Sequence, residues 1–248
     1  MNIFSSLFKS NKLEHPVDFS LISTDMHSHL IPGIDDGAGT IEESVELIRS
    51  LYNLGYKKVI ITPHVISDYF KNTPEIIRSG HETLKKALAA GQILVKTETA
   101  AEYMLDDGFE KKFRNGELLT FGKKYVLLEL SAFTPPKSFF QVIFDLKLEG
   151  YNPILAHPER YSYWHFDFEQ YITLKDREIL LQINLPSLTG FYSPEVQKIT
   201  EKLIDNNMVD FAGTDLHNND YLEQVERSRY SKYLEKLVNS GTLLNKEI

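Results

Sequence analysis

The sequence predicts an α/β domain organised around a parallel sheet, and three observations predict it. Seven short β-rich runs recur along the chain, amphipathic stretches of helical period separate them, and no clear linker interrupts the alternation. Strands separated by helices need crossover connections, which favour parallel pairing. Seven such units can close as a barrel one unit short of the eightfold version, or stay open as a doubly wound sheet.

The first run covers 21–26, and a helix follows it. Thr40 and Glu43 form a capping box there, Ile41, Val45, Ile48 and Leu51 share one face, and Gly55 supplies a stop. The second run is 58–62. Thr73-Pro74 then opens a helix with Ile77, Leu84 and Leu88 on one side and Gly91 at its end. The third and fourth runs, 93–101 and 125–130, precede a helical stretch at 137–149. The fifth, sixth and seventh runs are 153–156, 179–185 and 209–212, with helical patterns at 194–206 and 221–238. Residues 1–20 stand apart as an N-terminal extension, in which Ile3, Phe4, Leu7 and Phe8 could form a small sticky helix; residues 21–248 make the domain.

Composition narrows the function. The 248 residues are 42% hydrophobic, which excludes a disordered or fibrous chain. No apolar run approaches the ~18 residues of a transmembrane helix. The first twenty residues lack a signal-peptide core and cleavage site, so a cytoplasmic location is expected. Twenty-seven Lys and Arg against 35 Asp and Glu give a net charge of −8, a poor match to a nucleic-acid backbone. With no cysteine, thiolate nucleophiles and thiolate metal sites are excluded, and a reducing compartment fits.

The ionisable residues fall at one place in each unit. Asp25-Met26-His27-Ser28-His29 ends the first run, and Thr62-Pro63-His64 the second. Glu102 ends the third, Glu129 the fourth, His157-Pro158-Glu159-Arg160 the fifth and Asp215-Leu216-His217 the seventh. In a parallel sheet the carboxyl ends of all strands lie on one side, so these groups converge. His27 and His29, at i and i+2 of a strand, share a face and can grip one ion. Glu129 interrupts an apolar run, where an unpaired buried carboxylate would cost several kcal/mol and so calls for a cation. A set of His, Asp and Glu without sulfur suits manganese, iron or zinc. His15, His81 and His165 read as packing or solvent-exposed histidines, and Asn184 as a hydrogen-bonding support.

In this order, His-x-His, Asp-Asp-Gly (35–37), Thr-Pro-His, Ala-Glu, Leu-Glu-Leu, Ala-His-Pro-Glu-Arg and Asp-Leu-His-Asn resemble the polymerase and histidinol phosphatase (PHP) superfamily. Within it the chain is similar to the bacterial protein-tyrosine phosphatases that accompany capsule and exopolysaccharide tyrosine kinases. The resemblance runs from about Asp25 to the C-terminus. It implies a distorted seven-stranded TIM-like α/β barrel with three divalent metal ions, usually manganese, sometimes iron or zinc. By the same resemblance, His27, His29, Glu102 and Asp215 would share one ion, with Glu102 bridging to a second held by Glu129 and His157. Asp36, His64 and His217 would hold the third; Asp36 is preferred to Asp35 because the family motif uses the Asp directly before Gly. Arg160 and Asp215 are the implied catalytic residues, Arg160 contacting the substrate phosphate. One departure stands out: where relatives place an arginine after Asp-x-His-Asn, this chain has Asn219 and Asp220, so a second cation would come from Arg227 or Arg229, or be missing.

The implied reaction is hydrolysis of a phosphotyrosine protein or peptide, such as a bacterial tyrosine kinase tail, by direct attack of metal-bound hydroxide. Four carboxylates and three divalent ions leave the centre at about +2, a strong attractor for a phosphate dianion within an acidic protein. Because imidazole ligands must be neutral, activity should collapse below about pH 6. Tyr103, Phe133, Trp164, Phe191 and Tyr192 could line the mouth, with Phe191 and Tyr192 the expected ring contacts. The competing readings are a phosphoesterase for a small metabolite such as histidinol phosphate, and a non-catalytic, metal-stabilised binding module. A polymerase-associated nuclease is disfavoured by the acidic balance.

Overall fold

The computed structural model describes residues 12–248, so the sticky-helix expectation at Ile3–Phe8 lies outside the described residues. Each of the seven β-rich runs overlaps a strand, and two short strands that the runs did not include follow the second and third, giving nine among the described residues. They are β1 (Thr24–Asp25), β2 (Lys58–Ile61), β3 (His64–Val65), β4 (Lys96–Thr99), β5 (Glu102–Met104), β6 (Tyr125–Glu129), β7 (Asn152–Ala156), β8 (Leu180–Asn184) and β9 (Phe211–Gly213). Pro63, just past the second run, separates β2 from β3, since it has no N–H for the ladder and restricts Thr62 before it. Alongside, Ala100-Ala101 at the end of the third run separate β4 from β5. Two bonds carry the register across the break: Ala100 N–H donates to the Ile61 carbonyl (2.9 Å) and Glu102 N–H to the Pro63 carbonyl (3.1 Å).

Every strand pair is parallel. β1-β2-β4 form one sheet, and β3-β5-β6-β7-β8-β9 form a second, larger one that curls as a half-barrel. The described fold is thus α/β with two parallel sheets rather than one open sheet.

Helices α1 (Ile41–Asn53), α2 (Pro74–Ala90), α3 (Phe109–Arg114), α4 (Phe139–Leu148), α5 (Glu169–Asp176), α6 (Pro194–Asp205), α7 (Asn219–Ser228) and α8 (Lys232–Val238) fill the connections. Thr40 caps α1 as expected, accepting the Glu43 N–H at 3.2 Å. Glu43 reaches back one residue further than a capping box requires, accepting the Gly39 N–H at 2.9 Å. The helix expected at 221–238 divides, because the Ser231 side chain accepts the Tyr233 N–H and starts a new helix. His81 is a packing residue, tying α2 to β4 through Thr97 Oγ1 at 2.9 Å. Val17 and Phe19, in the stretch before the first strand, are buried, with Phe19 against the Tyr56 ring at 5.0 Å.

Between β1 and β9, side chains do much of what a strand ladder would do. Asp25 accepts the Thr214 N–H (2.9 Å) and hydroxyl (2.6 Å). Asn245 accepts the Ala212 N–H (3.0 Å) and donates to the Thr24 and Ala212 carbonyls (2.9 and 2.8 Å). These backbone groups are buried, where each unpaired one would cost about 1–3 kcal/mol. Further up, main-chain bonds take over: Asp215 N–H to the His27 carbonyl (2.8 Å) and His29 N–H to the Leu216 carbonyl (2.9 Å). Burial pushes the Asp25 carboxyl up to about 6, against the pull of its Thr214 bonds.

Two apolar clusters result. The larger lies between sheets and helices. The smaller, including Met26, Ile60, Phe121, Leu127, Ile154, Ala156 and Phe211, fills the interior, with Ile248 packed against it. Met26 and Ala156 directly precede His27 and His157, so this packing underlies the polar residues at the strand ends.

Candidate metal centre

The eight ligand-type side chains singled out at the strand ends meet, and Asp36, implied by the family resemblance, joins them. Four overlapping groups bring donor atoms within 4.8 Å of one another: His29, Asp36, His64 and His217; His27, His29 and Asp215; His27, Glu102 and His157; His64, Glu102 and Glu129. Glu102 is central. Its Oε2 lies 3.2 Å from His27 Nε2, 3.4 Å from His29 Nε2 and 3.1 Å from His64 Nδ1, and its Oε1 lies 3.1 Å from His157 Nε2. Asp215 Oδ1 is 3.3 Å from both His27 Nε2 and His29 Nε2. Asp36 Oδ1 stands 3.5 Å from His64 Nε2 and His217 Nε2 at the open side. Asp35, by contrast, turns away from the cluster toward the far nitrogen of His29.

Local backbone conformation serves this convergence. His157 (φ 34°) and Asp215 (φ 52°) both occupy the left-handed region, which non-glycine residues adopt at a cost of about 1–3 kcal/mol and which concentrates at functional sites. Gly37 passes so close to His29 that a Cβ would fall 2.0 Å from the His29 carbonyl oxygen, which accounts for the glycine of Asp-Asp-Gly. A Cβ on Gly213 would meet that of His27 at 2.7 Å.

The imidazoles are oriented from behind. His27 Nδ1–H donates to Gln182 Oε1 (2.8 Å) and His217 Nδ1–H to the Asp215 carbonyl (2.8 Å), so in the neutral rings Nε2 turns its lone pair inward. Gln182 passes the chain on to Asn184 Oδ1 (2.8 Å), and Asn184 Nδ2 donates to Asp215 Oδ2 (2.7 Å). Asn184 therefore has the supporting role its strand-end position suggested. Gln182 was not legible as a site residue, since its only signal was a polar side chain inside a buried strand.

The donor set fits divalent cations. Glu102 Oε2 and His64 Nδ1 are buried without a hydrogen bond, although they face each other, and the donor atoms crowd together with Arg160 only at their border. Protons occupy the cluster otherwise. Burial opposes charge on His27, but Glu102 and Asp215 prevail and push it up to about 9. For His29 burial is likewise outweighed, by Asp35 and Asp215, and its pKa stands well above the ordinary value. Burial and then repulsion from Glu102 lift Glu129 to about 8. Burial and then Arg160 lower His157 to about 4.

The signs fix a pH dependence. At pH 7 the metal-free protein holds protons on His27, His29 and Glu129, and ligation must expel them. Manganese uptake at pH 7 is expected to release about three protons, fewer as pH rises through about 8, where Glu129 ionises, and then about 9, where His27 does. Calorimetry in two buffers of different ionisation enthalpy measures this; uptake with no proton release at pH 7 would contradict the arrangement.

Arg160, on the turn Pro158–Arg160, borders the cluster. Its Nη1 lies 3.2 Å from Asp215 Oδ2 and its guanidinium stacks 4.5 Å from the Tyr192 ring centre. The Tyr192 hydroxyl accepts from Asn184 Nδ2 (3.1 Å) and donates toward Asp215 Oδ2 (3.4 Å), so its ring supports Arg160. Phe191 is 38% exposed, edge-on to Tyr192 and Tyr221. Two of the expected mouth aromatics are otherwise engaged: Tyr103 is buried with its hydroxyl accepting the Leu119 N–H (2.7 Å), and Trp164 is buried against Tyr161, Tyr163 and Tyr171. Phe133 is exposed in the loop after β6. Neither expected second cation faces the cluster through its described bonds: Arg229 donates to the Val17 carbonyl (2.8 Å) and Arg227 to Gln224 Oε1 (3.1 Å).

A family model described as capsular polysaccharide synthesis, CpsB/CapC, matches residues 23–242, a span that includes all nine cluster residues. The chain belongs to the CpsB/CapC family. Among its CpsB/CapC relatives, the tyrosine-protein phosphatase YwqE of Bacillus subtilis is 30% identical over 195 residues, covering 78% of this chain and 77% of the relative. The tyrosine-protein phosphatase CpsB of Streptococcus agalactiae is 28% identical over 206 residues, covering 79% and 83%. A solved structure from work on YwqE of B. subtilis and CpsB of Streptococcus pneumoniae, described as unique metal-dependent tyrosine phosphatases, superposes with a TM-score of 0.79. That match is at 28% identity over 86% of each chain.

Proposed function

We propose that this chain is a metal-dependent protein-tyrosine phosphatase of capsule or exopolysaccharide assembly, acting on a phosphotyrosine segment such as a bacterial tyrosine kinase tail. The observation that carries the reading is the convergence of nine ligand-type side chains around Glu102 with Arg160 at their border. The names of the CpsB/CapC relatives support it. Three divalent ions, manganese first and iron or zinc next, would be held by His27, His29, Glu102 and Asp215; by Glu102, Glu129 and His157; and by Asp36, His64 and His217. The overlapping donor groups support that division, with His27, His29 and His64 each near two of the three. When bound, such ions neutralise phosphoryl oxygens and lower the pKa of coordinated water to about 7.

The chain's own groups do the rest. Arg160 presents a planar fork to the phosphate, held in place by Tyr192 beneath it and Asp215 beside it. Asp215 Oδ2, fixed by Asn184, keeps Oδ1 turned toward His27 and His29. Asp36, with its side chain 56% exposed, and Phe191 leave the open side accessible to a side chain carried on a polypeptide. The two sheets would together make a distorted seven-stranded barrel, a reading supported by the main-chain bonds and the Ser28–Leu216 bridge between the continuations of β1 and β9. The domain spans 21–248 in this reading, with Val17 and Phe19 of the preceding stretch packed into its core. A cytoplasmic location is in keeping with the absence of cysteine, and no helix among the described residues is long and apolar enough to cross a membrane.

The test is turnover of a phosphotyrosine peptide and of histidinol phosphate by protein stripped with a strong chelator and then reloaded with manganese. Activity on the peptide is expected to vanish on stripping and return on reloading. Turnover by the stripped protein would refute the metal mechanism, and preference for histidinol phosphate would reassign the substrate.

A further inference from the structure

Three of the clustered histidines lean on an acceptor behind them, and the acceptors differ. His27 has the neutral amide of Gln182 and His217 a main-chain carbonyl, whereas His29 has a carboxylate. That carboxylate is Asp35, whose side chain is fully buried. Its Oδ2 accepts His29 Nδ1–H at 2.8 Å and also the backbone N–H of His64 at 3.0 Å, while Oδ1 accepts the Gly37 N–H at 3.1 Å. Asn72 holds the same two segments together from the other side, donating to the Ile34 and His64 carbonyls at 2.9 and 2.8 Å.

We infer that Asp35 is a positioning residue shared by two ion sites: it fixes the ring of His29 with its proton on Nδ1 and the backbone from which His64 projects. A neutral imidazole has one N–H. Placed on Nδ1 by Asp35, it leaves the lone pair on Nε2, the nitrogen 3.3 Å from Asp215 Oδ1 and 3.4 Å from Glu102 Oε2. The second contact sets the ridge carrying His64, which faces Asp36 across 3.5 Å. An asparagine cannot replace this carboxylate. In either orientation its amide NH2 would face a donor, Gly37 N–H on one side or His29 Nδ1–H and His64 N–H on the other.

This inference rests on the cluster being a metal centre, and its test reads ion binding and tautomer rather than turnover. In zinc-loaded wild-type protein with nitrogen-15-labelled histidine, the His29 proton is expected on Nδ1; a proton on Nε2 overturns the inference without recourse to a variant. Asp35→Asn, at matched free manganese, is expected to weaken binding of two ions about 10–100-fold while one is retained. Asp36→Asn should affect only one. The melting temperature of each metal-free variant reports folding separately. Asp35→Asn protein that takes up every ion with unchanged affinity overturns the inference alone, whereas wild-type protein that binds neither zinc nor manganese overturns the metal-centre reading with it.

Discussion

Glu102→Gln is expected to lower kcat on the order of 10^3-fold and to remove more than one ion from the protein. The reason is its position. One carboxylate stands within 3.1–3.4 Å of a ring nitrogen from each of His27, His29, His64 and His157, and it belongs to two of the four donor groups. An amide keeps the shape but supplies one neutral oxygen where two charged ones stood, and its NH2 has no lone pair to offer a cation. The loss is therefore electrostatic and shared between neighbours. It also reaches His27, whose charged form is held up by Glu102 first and Asp215 second, against burial. Elemental analysis beside steady-state kinetics decides the matter. A variant with wild-type metal content would show that Glu102 bridges nothing.

Arg160→Ala is expected to reduce kcat/KM for a phosphotyrosine peptide about 100-fold while metal content stays at the wild-type level. Two charge-assisted hydrogen bonds of about 1.5–3 kcal/mol each set that scale, discounted for the partial exposure of the side chain. Arg160→Lys should recover only part of the loss, since an ammonium offers a point charge without the planar fork and stacks less well on Tyr192. If alanine leaves kcat/KM unchanged, phosphate recognition lies elsewhere. A loss of ions would instead mean that Arg160 acts by holding Asp215.

The positions of the cluster residues were legible because a parallel sheet has directionality. Apart from Asp36, which the family motif marked, each ligand-type residue stood at the end of a β-rich run, and runs of one direction end on one side. Helix starts were legible for a similar local reason, as at Thr40 and Thr73, where a hydroxyl precedes the first turn. Partners distant in sequence were not. Gln182 sits inside a buried strand and Asn245 in a C-terminal turn, and nothing in their surroundings marks them as partners of His27 or of the β1–β9 seam. Tyr103 and Trp164 show the same limit in reverse, because an aromatic near a strand end is equally able to anchor a loop as to face a ligand. Strands β3 and β5, past Pro63 and Ala100-Ala101, lay beyond the β-rich runs, because two or three residues carrying His64 and Glu102 are too short and too polar for hydrophobic periodicity to register.

The packed floor beneath the cluster has a kinetic consequence. With Met26, Phe121, Leu127, Phe211 and Ile248 filling the interior below, the cleft is a blind alley. Reactant and both products must share one doorway. In the proposed reaction the phenol would depart first, and inorganic phosphate, which Arg160 and ions held by the cluster would bind, would depart last. Under the proposed reaction, orthophosphate would therefore compete with incoming substrate, and its accumulation would throttle the enzyme without any dedicated regulatory site.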